Sequence, residues 1–252
     1  MRNIIEAKNL TKSFDKGSQA SNVLDDVSVS IGEGEFIAVM GQSGCGKTTL
    51  LFALSGTDSI DSGSVKFGDR DLSKLNEAQL ADLRRTKMGF VFQQPTMLKS
   101  LNILDNIILS SMQGRRKNVA GITAKAKELM HQTGISGLEN RDITEVSGGQ
   151  LQRAGICRAL MNSPDVLFAD EPTGALNSKS SEEIMKLLSL FHKDGTAIFL
   201  VTHDAKVAAR ADRVLFMKDG RICSALCFEK SAENGLEYKT EKVLEQMREI
   251  DI

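Results

Sequence analysis

The stretch GQSGCGKTT, Gly41–Thr49, decides the fold of this chain. It matches the phosphate-loop pattern G-x-x-x-x-G-K-[S/T] in full, and it lies between an apolar run, Phe36–Met40, and a segment with helical spacing that ends at Gly56. Backbone N–H groups of such a loop surround a nucleotide phosphate, so we expect Lys47 to bridge the β- and γ-phosphates and Thr48 to bind Mg²⁺. The predicted phosphate-binding residues are Gly41, Gln42, Ser43, Gly44, Cys45, Gly46, Lys47, Thr48 and Thr49.

Strands and helices alternate along the rest of the chain. Apolar runs of strand length occur at Met88–Gln94, Val166–Asp170 and Thr196–His203. Residues 27–31 alternate between apolar and polar, which is typical of a half-buried strand. Helical spacing fills most of the intervals, so the pattern predicts an α/β fold with a mainly parallel core sheet.

Capping residues predict where helices begin. We expect Asn76 to cap one helix, and Thr123 to cap another that stops at Gly134. Ser180 and Glu183 have the spacing of a capping box in the helix between two of the predicted strands.

The segment Pro95–Pro164 is mostly helical in pattern and is interpreted as a helical insertion between strands. Hairpins are predicted near residues 63–68 and at the turn Asp219–Gly220. After Thr240 we expect a short amphipathic helix in a tail that spans residues 228–252. Its apolar face consists of Val243, Leu244, Met247 and Ile250.

Composition and charge argue against several classes of function. The chain has 252 residues, and its 32 Lys and Arg against 33 Asp and Glu give a net charge of −1. This balance, with only the short basic run Arg115–Lys117, predicts no nucleic-acid partner. No stretch approaches the roughly 18 apolar residues of a membrane span, and the charged N-terminus does not fit a signal peptide, so a cytoplasmic chain is expected. The four cysteines are interpreted as reduced thiols rather than zinc ligands.

A phosphate loop requires an acidic partner, and VLFADE, Val166–Glu171, supplies one. Asp170 ends a buried strand, where an unpaired carboxylate is costly, so we expect it to hold the Mg²⁺ shell. Side chains alternate along a strand, so Glu171 is expected to act instead as general base or water-positioning residue. Gln93 and His203 also follow apolar strands. We expect Gln93 to bind the metal and sense the γ-phosphate, and His203 to contact that phosphate, although a satisfied core or loop histidine is the alternative.

Six motifs occur in a recognisable order: GQSGCGKT, Gln93 after an aromatic strand, VSGGQ at Val146–Gln150, VLFADE, GALN at residues 174–177, and His203. With them the chain resembles the nucleotide-binding subunit of ATP-binding-cassette (ABC) transporters over about residues 3–227. The resemblance implies a P-loop NTPase fold with an antiparallel β subdomain beside the parallel core sheet and a helical subdomain over about residues 95–164. It also implies ATP hydrolysis coupled to transport, with ATP and Mg²⁺ as cofactors.

In that family the SGGQ loop faces the ATP held by the other subunit. The resemblance therefore implies that Ser147, Gly148, Gly149 and Gln150 contact a γ-phosphate held by Lys47 of a second copy. Two ATP molecules would then lie between two head-to-tail chains, and Glu171→Gln would trap that dimer.

Three further positions carry expectations. Phe14 matches the aromatic that stacks on adenine in this family, with a core phenylalanine as the alternative. Cys45 lies near a helix N-terminus, which lowers the pKa of a thiol, and we expect its alkylation to block ATP binding. Asn177 stands where the family has aspartate, which puts the coupling of the two sites in doubt.

The stretches FADEPTGALNSKS and GTDSIDSGSV and the polar tail resemble the branch of macrolide exporters, lipoprotein-release systems and antimicrobial-peptide resistance modules. GALxSKS with a long tail favours the bacitracin- and lantibiotic-resistance type. That type implies two ATPase copies on the cytoplasmic face of the plasma membrane, bound to one large permease with an extracellular domain, often beside a sensor kinase.

By the same analogy, the surface at Gln93–Leu104 receives the coupling helix of the permease through Met97, Leu98 and Leu101, with burial in the core as the alternative. The tail helix could cover the sheet, pair with its mate or touch the permease.

Other classes fit less well. ABC ATPases that act on DNA carry long coiled coils, and this chain has no sustained heptads. Translation-type cassettes are tandem duplications, and only one cassette is present. Glu171 and His203 argue against a binding module that never hydrolyses ATP.

Overall fold

The computed structural model describes residues 2–14, 22–113, 118–228 and 235–252, so the basic run Arg115–Lys117 lies outside the described residues. The strands are β1 Asn3–Ser13, β2 Asn22–Gly32, β3 Phe36–Gly41, β4 Ser62–Phe67, β5 Arg70–Asp71, β6 Met88–Phe92, β7 Val166–Asp170, β8 Ala197–Val201, β9 Arg213–Lys218 and β10 Arg221–Cys227. The helices are α1 Lys47–Leu54, α2 Glu77–Lys87, α3 Ile103–Met112, α4 Val119–Gln132, α5 Gly148–Leu160, α6 Ser178–Lys193, α7 Ala205–Ala208 and α8 Leu236–Glu249.

The described strands form two sheets. The central sheet has the order β10-β9-β3-β8-β7-β6, and β10 alone in this sheet pairs antiparallel. The second sheet, β2-β1-β4-β5, is antiparallel throughout. The predicted α/β fold with a mainly parallel core sheet and an antiparallel β part is therefore confirmed.

The central sheet is buried on both faces, which explains why its strands read as continuous apolar runs. In β3, Phe36, Ala38 and Met40 pack into one core cluster with the helices of residues 95–193. Ile37 and Val39, on the opposite face, pack into a second cluster with α1 and the antiparallel sheet. Parallel strands need crossover segments, and these segments cover both faces.

Both predicted hairpins form, and the turn between β9 and β10 has Asp219 and Gly220 in the left-handed conformation that a tight hairpin needs. Helices α3, α4 and α5 fall within the predicted helical segment. Asn76 caps α2 by accepting a hydrogen bond from the Gln79 N–H at 2.9 Å, as predicted.

Two predicted helix starts are wrong. Helix α4 begins at Val119, and Thr123 lies inside it, because buried Ile122 extends the apolar face by a turn. Helix α6 is capped by Asn177, whose side chain accepts from the Ser180 N–H at 2.9 Å. Ser180 therefore lies within the first turn, and the expected capping box with Glu183 does not form.

The tail helix α8 begins at Leu236, a turn before the expected Thr240. Val243 is fully buried in the core cluster that contains Phe36, and Met247 and Ile250 pack against that cluster. Leu244, in contrast, is 39% exposed. The Lys218 ammonium donates to the carbonyls of Ile250 and Asp251 at 3.0 and 3.1 Å. Of the three expected roles, the tail covering the core of its own chain is the one that the structure supports.

Candidate functional site

A cavity of about 540 Å³ opens where β3, β6, β7 and β8 reach their carboxyl ends. It is lined by Val23, Gly41, Ser43, Gly44, Gly46, Lys47, Thr48, Thr49, Gln93, Asp170, Glu171, Val201 and His203. Ligands of open α/β sheets bind at this edge. Residues predicted from four of the six motifs therefore come together at one place. The VSGGQ and GALN motifs do not line the cavity, and neither do Gln42 and Cys45 of the predicted phosphate loop.

The phosphate loop is shaped by its glycines and by its lysine. Gly46, with φ of 101°, caps α1, and a Cβ atom there would lie 2.3 Å from the Val23 carbonyl, so only glycine fits. The buried Lys47 ammonium donates to the carbonyls of Gly41 and Gln42, both at 2.8 Å. The backbone of the phosphate loop therefore surrounds the Lys47 ammonium.

Asp170 meets the phosphate loop across the cavity. The Thr48 hydroxyl donates to the Asp170 carboxylate and lies 3.2 Å from each oxygen. Burial raises the pKa of Asp170 above its usual value, and neighbouring Glu171 raises it further, while the Thr48 hydrogen bond and Lys47 act in the opposite direction. The ionised carboxylate is therefore incompletely compensated and would gain from a cation.

Glu171 and His203 form a pair at the cavity wall. Glu171 Oε1 lies 2.9 Å from His203 Nδ1, and the histidine side chain is 73% exposed, so it is not a core residue. Glu171 has φ of 46°, in the left-handed region. Its N–H donates to the Val201 carbonyl at 2.9 Å, and its carbonyl accepts from the Gly174 N–H at 3.0 Å. The turn begins at Glu171, directly after Asp170, which is the last residue of β7.

The VSGGQ motif forms the start of α5. Ser147 caps the helix: its hydroxyl accepts from the Gln150 N–H at 3.3 Å, and its own N–H donates to Gln150 Oε1 at 2.8 Å. None of Ser147, Gly148, Gly149 and Gln150 lines the cavity that contains Lys47. A Cβ atom on Gly149 would lie 3.2 Å from Ser180 Oγ, so the motif lies against the start of α6 instead.

Phe14 is 64% exposed, with the Lys12 ammonium 5.1 Å from its ring centroid. The alternative of a core phenylalanine is therefore wrong, although Phe14 does not line the cavity. Cys45 is buried, and burial raises the pKa of its thiol, with Lys47 opposing the shift. The expectation that the helix N-terminus lowers this pKa is wrong, because desolvation of the thiolate is the larger effect.

The segment after Gln93 is partly exposed: Leu98 is 51% exposed, whereas Met97 and Leu101 are half-buried. The carboxamide of Asn106, 1% exposed, anchors the segment by donating to the carbonyls of Leu98 and Leu101 at 3.1 and 3.0 Å. Burial in the core, the alternative for these residues, is thus wrong for Leu98.

The sequence did not predict every residue that matters to the cavity. Val23 lines it from β2, a strand whose alternation indicated only burial. Gln152 of α5 is 1% exposed and donates to two carbonyls next to cavity residues. A polar residue on the buried face of an amphipathic helix is the signal that could have found it.

The fold and the cavity together define a P-loop NTPase. A family model described as "ABC transporter" matches residues 24–174, and the chain belongs to this family. It carries the family's ATPase cassette.

Curated relatives agree with this assignment. The chain is 41% identical over 220 residues to a macrolide export ATP-binding/permease protein MacB of Mannheimia succiniciproducens, covering 87% of this chain and 34% of the relative. It is 40% identical over 225 residues to MacB of Neisseria gonorrhoeae, with 88% and 34% covered. The chain thus spans about a third of the length of these relatives.

Solved structures agree as well. The dimeric post-hydrolysis structure of the ATP-binding cassette MJ0796, bound to ADP and Pi, has a TM-score of 0.83 and 35% identity, with 90% of this chain and all of that chain covered. CbiO1 of Clostridium perfringens, part of an ABC transporter complex, has a TM-score of 0.80 and 25% identity, with 100% and 95% covered. Among the described residues of the present chain, no helix combines the length and the apolar character of a membrane span.

Proposed function

We propose that this chain is the ATP-hydrolysing motor of a transporter and that it binds Mg-ATP in the 540 Å³ cavity. The observation that carries the proposal is the convergence of the phosphate loop, Asp170, Glu171 and His203 on that cavity. Lys47 would exchange its two carbonyl partners for the β- and γ-phosphates, and the backbone N–H groups of the loop would surround the β-phosphate.

The oxygen atoms of Thr48, Asp170 and Gln93 fit Mg²⁺, which prefers hard oxygen ligands. The raised pKa of Asp170 supports this assignment, because a buried carboxylate in that state gains from a divalent ion. When bound, the ion neutralises charge that develops on the phosphates during transfer.

Glu171 would orient the attacking water and accept its proton, since its carboxylate lines the cavity beside the metal-binding group. His203, 2.9 Å away, would hold the Glu171 carboxylate and contact the γ-phosphate. Most of the catalysis would come from positioning and charge neutralisation rather than from covalent chemistry.

The VSGGQ motif supports a composite site in a head-to-tail dimer. It lies outside the cavity of its own chain, with Ser147 and Gly148 exposed at the positive end of α5. Such a helix end can bind an anion, and the γ-phosphate of ATP on a second copy has the matching charge.

The variant Glu171→Gln tests both parts of the proposal. It should bind Mg-ATP normally, hydrolyse it roughly 100-fold or more slowly, and accumulate as dimers. Phosphate release, equilibrium ATP binding and analytical ultracentrifugation with saturating Mg-ATP measure the three properties. Hydrolysis at the rate of the unchanged protein would contradict the role of Glu171, and a monomer with bound ATP would contradict the composite site.

We propose a permease as the membrane partner, with the chain bound peripherally on the cytoplasmic face. A second cavity, of about 380 Å³, supports a docking place near the predicted Gln93–Leu104 surface. Its lining includes Phe52, Met88, Phe90 and Phe92 as apolar residues and Arg84, Arg85 and Arg158 as basic ones. An amphipathic helix with an acidic residue has the matching chemistry.

The branch of transporter is proposed from the sequence. GALNSKS and the tail support antimicrobial-peptide resistance, with a large permease, an extracellular domain and a neighbouring sensor kinase. A second candidate is macrolide export, which the identity to the MacB relatives favours. Deleting the gene should lower the inhibitory concentration of bacitracin or a lantibiotic in the first case, and of a macrolide in the second.

The permease itself is tested by isolating the chain from detergent-solubilised membranes of its own organism. One multi-spanning chain for every two copies is expected. If no membrane protein is recovered, a motor that works outside the membrane replaces the transporter proposal.

A further inference from the structure

Gln152 ties three segments together with a single side chain. It lies in the second turn of α5 and is 1% exposed. Its Nε2 donates to the Phe92 carbonyl at 2.9 Å and to the Pro172 carbonyl at 2.8 Å. Phe92 is the residue before Gln93, and Pro172 is the residue after Glu171. The two acceptors therefore flank the two cavity residues that the proposed function assigns to the metal and to water.

The chemistry of the two partners requires an amide nitrogen at this position. Both are carbonyl oxygens, so only the NH₂ group, with its two N–H donors, satisfies them together. The Oε1 atom is buried and accepts no hydrogen bond within the described part of the chain. A buried acceptor without a donor costs free energy, so the hydrogen bonds to the two carbonyls are made at a cost to Oε1.

The backbone at Glu171 shows what this side chain stabilises. Glu171 has φ of 46°, which is uncommon for a residue other than glycine. It also precedes a proline, which restricts its backbone further. Such residues persist only where the surroundings hold them. The Glu171 N–H and carbonyl are held by Val201 and Gly174, and the next carbonyl along the chain is held by Gln152.

We propose that Gln152 is a positioning residue for hydrolysis: from the VSGGQ-bearing helix it holds the left-handed Glu171 turn and the Gln93 strand end in one geometry. The inference rests on the proposed role of Glu171. If α5 shifts when the VSGGQ motif at its start binds a phosphate, the Gln152 side chain transmits that shift to the Glu171 turn. Gln152 itself touches neither nucleotide nor water.

The test is the variant Gln152→Met, which keeps the length of the side chain and removes both donors. We expect kcat for ATP hydrolysis to fall about 10-fold with KM for ATP unchanged within twofold, and the thermal midpoint to fall as well, because the Phe92 and Pro172 carbonyls lose their donor. Gln152→Glu serves as the second variant. A carboxyl group buried against two carbonyl oxygens takes up a proton and can then donate to one of them, so a smaller fall in kcat than in Gln152→Met is expected.

Thr133→Val is the matched control on the other side of α5. Thr133 is 1% exposed, and its hydroxyl contacts Cys157 Sγ at 3.1 Å, far in sequence from the cavity residues. This variant also loses a buried polar group, but we expect it to keep kcat and to change only the thermal midpoint. Equal losses of kcat in Gln152→Met and Thr133→Val would mean that Gln152 is only structural.

A double-mutant cycle separates this inference from the proposed function. If Gln152 acts through Glu171, adding Gln152→Met to Glu171→Gln should cause no further loss of kcat. A further 10-fold loss would overturn the inference. If Glu171→Gln alone hydrolyses ATP normally, the proposed function fails. If Glu171→Gln is slow but Gln152→Met has normal kcat, only the role of Gln152 fails.

Discussion

The cavity wall and the start of α5 are both rich in polar groups, yet their hydrogen bonds are organised differently. Across the cavity, distant segments bond to one another: Thr48 to Asp170, and Glu171 to His203. At the start of α5, the side chains of Ser147 and Gln150 bond to each other's backbone N–H groups in a capping box, and the exposed helix end does not line the cavity. The polar groups of the cavity wall therefore come together within one chain. The start of α5 is complete as a helix cap but incomplete as a binding site.

The largest effect on ATP hydrolysis is expected when the cavity is disabled in one copy of the chain and the start of α5 in another. Lys47→Ala should abolish ATP binding, and Gly148→Asp, which places an anion at the exposed end of α5, should abolish hydrolysis while ATP still binds. In a head-to-tail dimer, a mixture of the two variants restores one intact site in each mixed pair. Phosphate release should then recover to roughly a quarter of the rate of the unchanged protein.

One control accompanies this mixing experiment. Lys66→Ala, an exposed lysine on β4 outside the cavity, should behave as the unchanged protein. A mixture no more active than either variant alone would contradict composite sites that work independently.

An intermediate effect is expected at Asp170, where function and stability should change in opposite directions. Asp170→Asn should slow hydrolysis by roughly 100-fold or more, because Mg²⁺ loses its anionic partner. It should also raise the thermal midpoint near neutral pH without nucleotide, because burial raises the pKa of Asp170 and the ionised form costs stability.

The pH dependence of that gain follows from the raised pKa. Between the ordinary value of 3.8 and the higher folded-state value, the folded chain binds the proton more tightly than the unfolded chain. The midpoint difference between Asp170→Asn and the unchanged protein should therefore shrink as the pH falls through this window. A difference that is constant, or that grows with acid, would show that the carboxylate is not destabilised by burial.

The smallest effect is expected at Asn177, which caps α6 beside the VSGGQ motif. Asn177→Asp keeps the cap and adds a charge at the helix N-terminus, so it should stabilise by about 0.3–1 kcal/mol. Asn177→Ala, the matched control, should destabilise by about 1 kcal/mol. Unchanged ATPase activity and an unchanged Hill coefficient in the aspartate variant would show that this position does not couple the sites.

Residues of the cavity could be predicted because parallel strands bring their carboxyl ends to one edge. Gly41, Gln93 and Asp170 follow or end apolar runs, and this rule alone places them together. The capping of α6 was missed because Ser180 and Asn177 both fit a cap, and only the fold decides between them. The left-handed Glu171 turn and the bonds of Gln152 depend on partners from other elements, about which local spacing says nothing.

The two carbonyl partners of Lys47 bear on how the proposed cycle would close. A cation left without partners would hold inorganic phosphate tightly and slow the departure of the product. Here the Lys47 ammonium can donate again to the carbonyls of Gly41 and Gln42 as the phosphate leaves. The departure of the phosphate then exchanges one set of hydrogen bonds for another. Turnover would therefore meet a lower barrier at product release, a step that limits many enzymes.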